Sequence, residues 1–490
     1  MTKTTTTAAD LSNFDISQPE AGSRVAVVGS GISALSAAWF LSQKHEVTVF
    51  EKQERLGGHT NTIEVIENGR KVNVDTGFIV FNTPNYPNLT AMFAHLGVKT
   101  KDTDMSFAVS IDEGKLEYSG TNLNGMFAQR SNLFSYSHWS MIFEILRFNK
   151  QAKKDIKTSD PLDLSLKDYL TRHGFSEKMQ NYYLLPMAAA IWSCPVDTML
   201  LFPARSFLQF FDNHGLLNVE DRPQWETVVN GSKTYIDKIM QSQPFVTKLN
   251  SAVVKVCQQG SKVEITTKNG TKEIFDHVVF GSHADETYET LDDNLRAEFA
   301  LLDRFKYQKN IAYLHTDLDL MPARKRAWSS WNYLRDMSRP ETNVAVSYWM
   351  NLLQNLECEE DYFVTLNPIK KPAPDKTIKE IIYQHPVFDN AAIDSQADLM
   401  KLQGLHGIWM CGSYFGYGFH EDGLTSSVNL SKLWGITLPW ENRDNEAKSF
   451  AKKKTLISSD DAQSDETEKQ AKSETNQALN NVNSLDRKVG

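Results

Sequence analysis

Apolar positions along this chain fall into short, bounded runs, and the period of each run predicts an element. Residues 25–28 form an unbroken apolar run of strand type. An Ala/Leu-rich helix follows Gly31, and residues 46–50 give a second strand. Residues 62–66 and 71–74 read as strands around the turn Glu67-Asn68-Gly69. Leu89, Met92, Phe93 and Leu96 recur at the spacing of one helix face over 86–96. Residues 107–110 and 116–118 again look like strands. Residues 137–153 read as a helix with Trp139, Ile142, Phe143, Leu146 and Phe148 inside. Arg147, Lys150, Lys153 and Lys154 form its basic C-terminal end, as a solvated helix end complementing the dipole or as a basic patch facing a membrane.

The middle of the chain is less regular. Residues 181–217 are dense in aromatic and aliphatic side chains and are divided by Pro186, Pro195 and Pro203. Two readings stand: the core of a helical subdomain, or the wall of a long hydrophobic substrate tunnel. Residues 262–267 and 271–275 form a hairpin over Asn269-Gly270, and 275–280 run as a parallel-type strand into Gly281-Ser282-His283. Strand-like runs at 310–314, 344–350 and 362–366, with Trp328, Trp331, Asn332 and Tyr333 between them, predict an antiparallel sheet. The last apolar strand, 407–411, leads into Gly412-Ser413, a polar loop and a helix beginning near Gly423.

Chemistry enters at residues 24–59, where strand, glycine turn, helix, strand and acid follow in register. Gly29 permits the tight turn, Gly31 allows close backbone approach to a pyrophosphate, and Ala34 stands for the third glycine, where the helix packs on the sheet. Glu51 then lies where an acid accepts hydrogen bonds from an adenosine ribose. A dinucleotide site is expected here. The net charge of −9, without a Lys/Arg-rich stripe, argues against nucleic acid as a partner. Four scattered cysteines (Cys194, Cys257, Cys358, Cys411) give no metal or disulfide pattern and suit a reducing cytoplasm. The Thr-rich start has no apolar signal region, and prolines break the longest charge-free run, so no spanning helix is expected.

Arg55-Leu-Gly57-Gly58-His59 resembles the Arg-x-Gly-Gly signature of the FAD-binding amine oxidase and phytoene desaturase superfamily. The stretch from Cys411 to Leu424 resembles that superfamily's second FAD fingerprint. The resemblance implies non-covalent FAD. Gly29, Gly31, Ala34, Glu51, Lys52, Arg55, Gly57 and Gly58 would hold its adenosine and pyrophosphate, with Val254 on the adenine side. Gly412, Ser413, Asp422, Gly423 and Leu424 would hold the flavin side. Asp75-Thr-Gly77-Phe78, a polar, glycine-containing start to an apolar stretch, reads as a chain passing beside the isoalloxazine or as a plain strand start. Asn230-Gly231 stands where the superfamily has Gly-Gly.

Phrases such as DTGFIVFN, PMAAAIWS, SSWNY and YFGYGFHEDGL narrow the resemblance to a bacterial amine-oxidase-like flavoprotein group, similar to the N-terminal region of plant cyclopropane fatty acid synthases. It implies a redox flavoprotein acting near long-chain lipids. True amine oxidases commonly present a lysine near flavin N5 and bracket the amine with an aromatic pair. Here the strand near Asn310 places no lysine in register, and His420 or Phe419 replaces one bracketing tyrosine. His420 is therefore the candidate acid/base or orienting group, with Glu421 and Asp422 capping the next helix or holding loop N–H groups.

The expected fold is α/β: a discontinuous Rossmann-like FAD-binding domain (23–100, 228–285, 396–440), a helical substrate region (101–227) and a substrate-domain sheet (286–395), between disordered tails (1–22, 441–490). The leading expectation is an FAD-dependent oxidoreductase acting on a fatty acyl or other apolar substrate by desaturation, oxidation or isomerisation. A flavin amine oxidase is one alternative. The other is a non-catalytic, FAD-stabilised partner of a lipid methyltransferase. The expected location is the cytoplasm, with peripheral contact at the inner face of the membrane.

Overall fold

The computed structural model describes residues 18–120, 122–158, 162–192, 195–218, 222–242, 245–338 and 345–441. The chain forms two units, Met1–Ile436 and Thr437–Gly490; of the second, only residues 437–441 are described. The expectations for residues 1–17 and 442–490, for Cys194 and for Val344 lie outside the described residues.

One parallel sheet organises the nucleotide side. It contains β1 (Arg24–Val28), β2 (Glu46–Phe50), β3 (Val246–Lys248), β4 (His277–Phe280) and β5 (Ile408–Met410), in the order β3-β2-β1-β4-β5. Every neighbouring pair is parallel. Near-continuous apolar runs suit strands covered on both faces, and Val25, Ala26 and Val27 of β1 are fully buried. The helix α1 (Ile32–Leu41) packs over it, all ten of its residues buried. Three chain segments separated by long excursions thus meet in one sheet. Strands Val253–Gln259, Lys262–Thr267 and Lys272–Phe275 form the antiparallel attachment beside it.

The second large sheet has seven strands, in the order Thr377–Val387, Lys306–His315, Phe363–Leu366, Ala345–Trp349, Trp331–Arg335, Phe107–Ile111, Leu116–Ser119. The strands expected to be antiparallel pair that way, Lys306–His315 and Ala345–Trp349 each with Phe363–Leu366, and the sheet is mixed because Trp331–Arg335 runs parallel to Phe107–Ile111. Those strands come from distant segments joined by no hairpin, so no tight turn dictates their direction. The sequence reading also passes over Thr377–Val387, whose charges and Pro386 mask it. It is an edge strand, where a missing N–H is tolerated.

The helix Tyr136–Ile156 corrects one expectation. Its buried face is His138, Met141, Ile145, Phe148, Asn149 and Ala152. Trp139, Phe143 and Leu146, expected inside, are 38%, 64% and 46% exposed. Two apolar stripes fit this helix at a period of 3.6, and the packing partner selected the less aromatic one. Residues 181–217 are mostly packed core: Leu184, Leu185, Ala188, Phe207 and Phe211 are buried in the large apolar cluster of the helical region.

Candidate active site

At the adenosine end the backbone does the positioning. Gly29 (φ +99°) turns the chain from β1 towards α1, and an added Cβ would meet the backbone of Gly281 and Ser282 at 3.2 Å. Gly281 sits so close to α1 that its Cβ would lie 2.5 Å from that of Ala34. Ala34 and Gly281 therefore define the helix-to-sheet distance together. Above Gly31 a Cβ would meet nothing within 4 Å, and no side chain caps α1.

Glu51 is buried; it accepts from the Ser30 hydroxyl (2.5 Å) and the Gln53 N–H (2.8 Å). Arg55 folds over its own turn and donates to the carbonyl oxygens of Gly58 (2.8 Å), Leu56 and Thr60 (both 3.3 Å). It holds the Gly57-Gly58 turn, where both residues have positive φ. Lys52, expected at the cofactor, pairs with Glu286 at 2.5 Å. Val254 lies at a bulge in its strand, 47% exposed.

The second fingerprint comes to the first. The helix α2 (His420–Leu433) packs along α1, with the Ser36 and Ser427 hydroxyls 2.6 Å apart. A Cβ on Gly423 would stand 2.7 Å from the Ser33 hydroxyl oxygen, so glycine is what lets the two helix starts meet. The Gly412 N–H donates to the Ser426 hydroxyl (2.8 Å), Ser413 opens a single 3₁₀ turn, and Leu424 is fully buried beneath it. Asp422 accepts from the N–H groups of Tyr417 (3.0 Å) and Phe419 (2.9 Å). Both bonds fall on Oδ2, so this carboxylate shapes the loop. Glu421 accepts from the N–H groups of Asn88 (2.8 Å) and Leu89 (3.0 Å), capping the helix Pro87–Leu96. Burial pushes these acids up, Glu421 to about 7 and Asp422 to about 6. Two helix starts and an uncapped glycine turn around open space fit FAD.

His420 heads α2. Its Nε2 lies 3.1 Å from the Thr60 hydroxyl and 3.0 Å from that of Tyr235, which are themselves hydrogen-bonded. Its ring stacks on Phe78 (centroids 3.8 Å, 10°). Burial pushes the imidazole down to about 3, which favours its neutral form near pH 7. Phe78 arrives because Gly77 lies against His59: a Cβ there would be 2.1 Å from the His59 carbonyl oxygen. Asp75 is fully buried and ties this region together. It accepts from Thr62 (2.5 Å), the Ser232 N–H (2.9 Å) and Gln354 (3.1 Å). Asn230 takes the positive φ (+66°) that a glycine pair would supply, a conformation asparagine tolerates.

Opposite His420 lies a group that sequence reasoning missed. His59, His283 and His385 gather with Tyr383 and Tyr307. His59 stacks on Tyr383 (5.0 Å) and stands 5.3 Å from His385 and 6.3 Å from His283, centroid to centroid. A relay of amides fixes the His385 tautomer. Asn367 accepts from the Ile311 N–H (2.8 Å) and donates to Asn310 (2.6 Å), and Asn310 donates to His385 Nδ1 (2.8 Å). The His385 proton is therefore on Nε2. Burial and mutual repulsion hold His59 well below the usual histidine range, and burial pushes His385 down to about 4. Asn310 points into the protein, fully buried, whereas Lys306 and Lys309 are exposed. Among the described residues no group of His, Cys, Asp and Glu could hold a metal ion.

On the apolar side, Phe419 stacks on Phe210 (5.0 Å, 19°), and Phe210 continues to Trp192 (4.5 Å) and His214 (3.9 Å). The aromatic wall of the helical region thus reaches the residue next to His420.

A family model described as flavin containing amine oxidoreductase matches residues 32–318. A Mycobacterium tuberculosis protein assigned as a flavin-containing monoamine oxidase, AofH, is 26% identical over 258 residues, 51% of this chain and 54% of that protein. The chain thus spans about half the length of the curated relatives it matches. A solved structure assigned as protoporphyrinogen oxidase, from Exiguobacterium sp. 255-15, is similar with a TM-score of 0.60 at 14% identity, covering 84% of this chain and 99% of that one. A CLA-producing fatty acid isomerase from P. acnes is similar at 0.58 and 15%, covering 84% and 98%. At such identities the likeness to both structures is one of fold.

Proposed function

This chain belongs to the flavin containing amine oxidoreductase family, and on that premise we propose that it oxidises a C–H bond of a fatty acyl or other apolar substrate, in a desaturation, oxidation or isomerisation. Bound FAD supplies the two-electron acceptor for the departing hydride. The chain's own residues bind and orient. The uncapped start of α1 and the Gly57-Gly58 turn would hold the pyrophosphate, and the start of α2 would present its positive end to the flavin side.

The observation that carries this reading is the aromatic wall. Phe419 and Phe210, backed by Trp192, give the substrate side an apolar surface beside a neutral His420. An ammonium substrate would need an anion or an open aromatic bracket. Glu421 and Asp422 are instead engaged with backbone N–H groups. Asn310 is buried on the strand Lys306–His315, with Lys306 and Lys309 turned out. In a desaturation two electrons and a proton leave the substrate together as hydride and a second proton goes to solvent; in an isomerisation the hydride returns to the substrate and there is no net oxidation.

The test is anaerobic mixing of the flavin-loaded protein with two panels, fatty acyl lipids in mixed micelles and primary or secondary amines. Bleaching of the flavin's visible band by an acyl substrate, and not by amines, is the expected result. Bleaching by amines alone overturns the proposal in favour of the amine oxidase reading. Bleaching by neither, with lipid composition in cells still dependent on a FAD-binding protein, moves the reading to the methyltransferase-partner alternative.

A further inference from the structure

The helix Tyr136–Ile156 carries an outward stripe that the catalytic reading does not use. Tyr136, Trp139 and Phe143 follow one another at helical spacing and are 88%, 38% and 64% exposed. Phe134, just before the helix, is 93% exposed. The stripe continues along the same face to Lys150 and Lys154, both exposed and without an ion pair among the described residues. Tyr136, Trp139 and Phe143 also flank an open cleft of about 460 Å³. Glu144 and Arg147 also line that cleft, Glu144 accepting from the Ser176 hydroxyl (2.7 Å) and Arg147 donating to the His173 carbonyl oxygen (2.8 Å).

Aromatic side chains this exposed belong in a second phase, since a monomer in water has no reason to present a row of them. The chemistry of the row selects the phase. Tyr and Trp favour the headgroup level of a bilayer, Phe enters the acyl boundary, and lysines on the same helix face meet anionic headgroups. A chain of net charge −9 is repelled as a whole by an anionic leaflet, so attraction must come from a local cationic stripe. No helix among the described residues is long and apolar enough to cross a membrane, so contact would be along the helix and not through the bilayer.

We propose that the outward face of Tyr136–Ile156, with Phe134, docks on an anionic lipid bilayer, the aromatic half inserting at the interface and Lys150 and Lys154 lying over headgroups. This docking stands independently of which bond the site oxidises.

The experiment is co-sedimentation of the full-length, flavin-loaded protein with vesicles of phosphatidylethanolamine and phosphatidylglycerol, against phosphatidylcholine vesicles. Wild type should sediment with the anionic vesicles. F134S/Y136S/F143S should lose binding at least tenfold in both low and near-physiological salt. K150Q/K154Q should lose it roughly 25-fold on anionic vesicles, since each cation near such a surface is worth about a fivefold change in partitioning. Retained flavin absorbance shows that each variant is folded; a variant that loses flavin is replaced by the single change F134S. Wild type left in the supernatant, or equal binding by all variants, overturns the proposal. So does a wild-type dimer that F134S/Y136S/F143S dissociates in the absence of vesicle binding, which would assign the face to a second copy of this chain.

Discussion

The two ends of the proposed cofactor site use different materials. At the pyrophosphate end, Gly29, Gly31, Gly58 and Gly281 leave backbone against backbone, and side chains serve mainly to hold turns, as Arg55 does. At the reacting end, position is set by side chains from distant segments: His420 with Thr60 and Tyr235, and His385 with Asn310 and Asn367. Backbone construction tolerates almost no added atom at Gly29, Gly58 or Gly281. Side-chain construction tolerates replacement, but each loss strands a buried polar partner.

Four substitutions or conditions should break or sharpen that contrast. The largest effect is expected for Gly281→Val. Its side chain would overlap Ala34 and push α1 off the sheet, costing more than about 4 kcal/mol. Urea unfolding would show it, and the purified protein should be colourless. Gly31→Ala is the subtler probe of the same end. Nothing in the protein opposes its methyl group, so the thermal midpoint of the flavin-free protein should hold, while FAD affinity falls roughly 100-fold, about 2.7 kcal/mol, by isothermal titration. Equal loss of fold and flavin would mean that the space above Gly31 is structural.

At the reacting end, Asn310→Leu removes one donor and one acceptor and leaves His385 and Asn367 without their partners. About 2–3 kcal/mol of stability should go, with flavin affinity changed less than by Gly31→Ala. The smallest effect is the pH dependence of His420. Its folded value, about 3, lies below the unfolded value of about 6.5. Its contribution is therefore present above pH 6.5 and is lost as pH falls towards 3. Between pH 7 and pH 5 the stability advantage of wild type over His420→Phe should shrink by about 2 kcal/mol. Asp75, Glu421 and Asp422 act in the opposite sense. Their raised values favour the fold at low pH, and that advantage is lost as pH rises through 6 to 7. The difference between wild type and His420→Phe cancels them. A difference that does not change with pH would mean that His420 titrates normally.

Legibility followed the same division. The run from Arg24 to Glu51, the Gly57-Gly58 turn and the start of α2 could be read directly, because local backbone demands leave glycine at fixed intervals. Asn230 in place of glycine was readable as a departure, and its positive φ explains it. The His59, His283 and His385 group was not legible: its members lie on three unrelated segments, and one sits on the edge strand that Pro386 disguised. The aromatic helix was misread in phase, since periodicity reports that a stripe exists and not which of two stripes meets the core.

Residues 24–59 by themselves determined a strand–turn–helix that could take a dinucleotide, since spacing and residue type there act over a few bonds. Tertiary structure decided what stands at the other end. It brought Gly423 against Ser33, set His420 between two hydroxyls as a neutral ring, gave Asn310 to His385, and left Trp139 and Phe143 to solvent. Those outcomes depend on which distant surfaces pack together, and burial, which sets both the imidazole's charge and the exposure of an aromatic stripe, is a property of the packed chain alone.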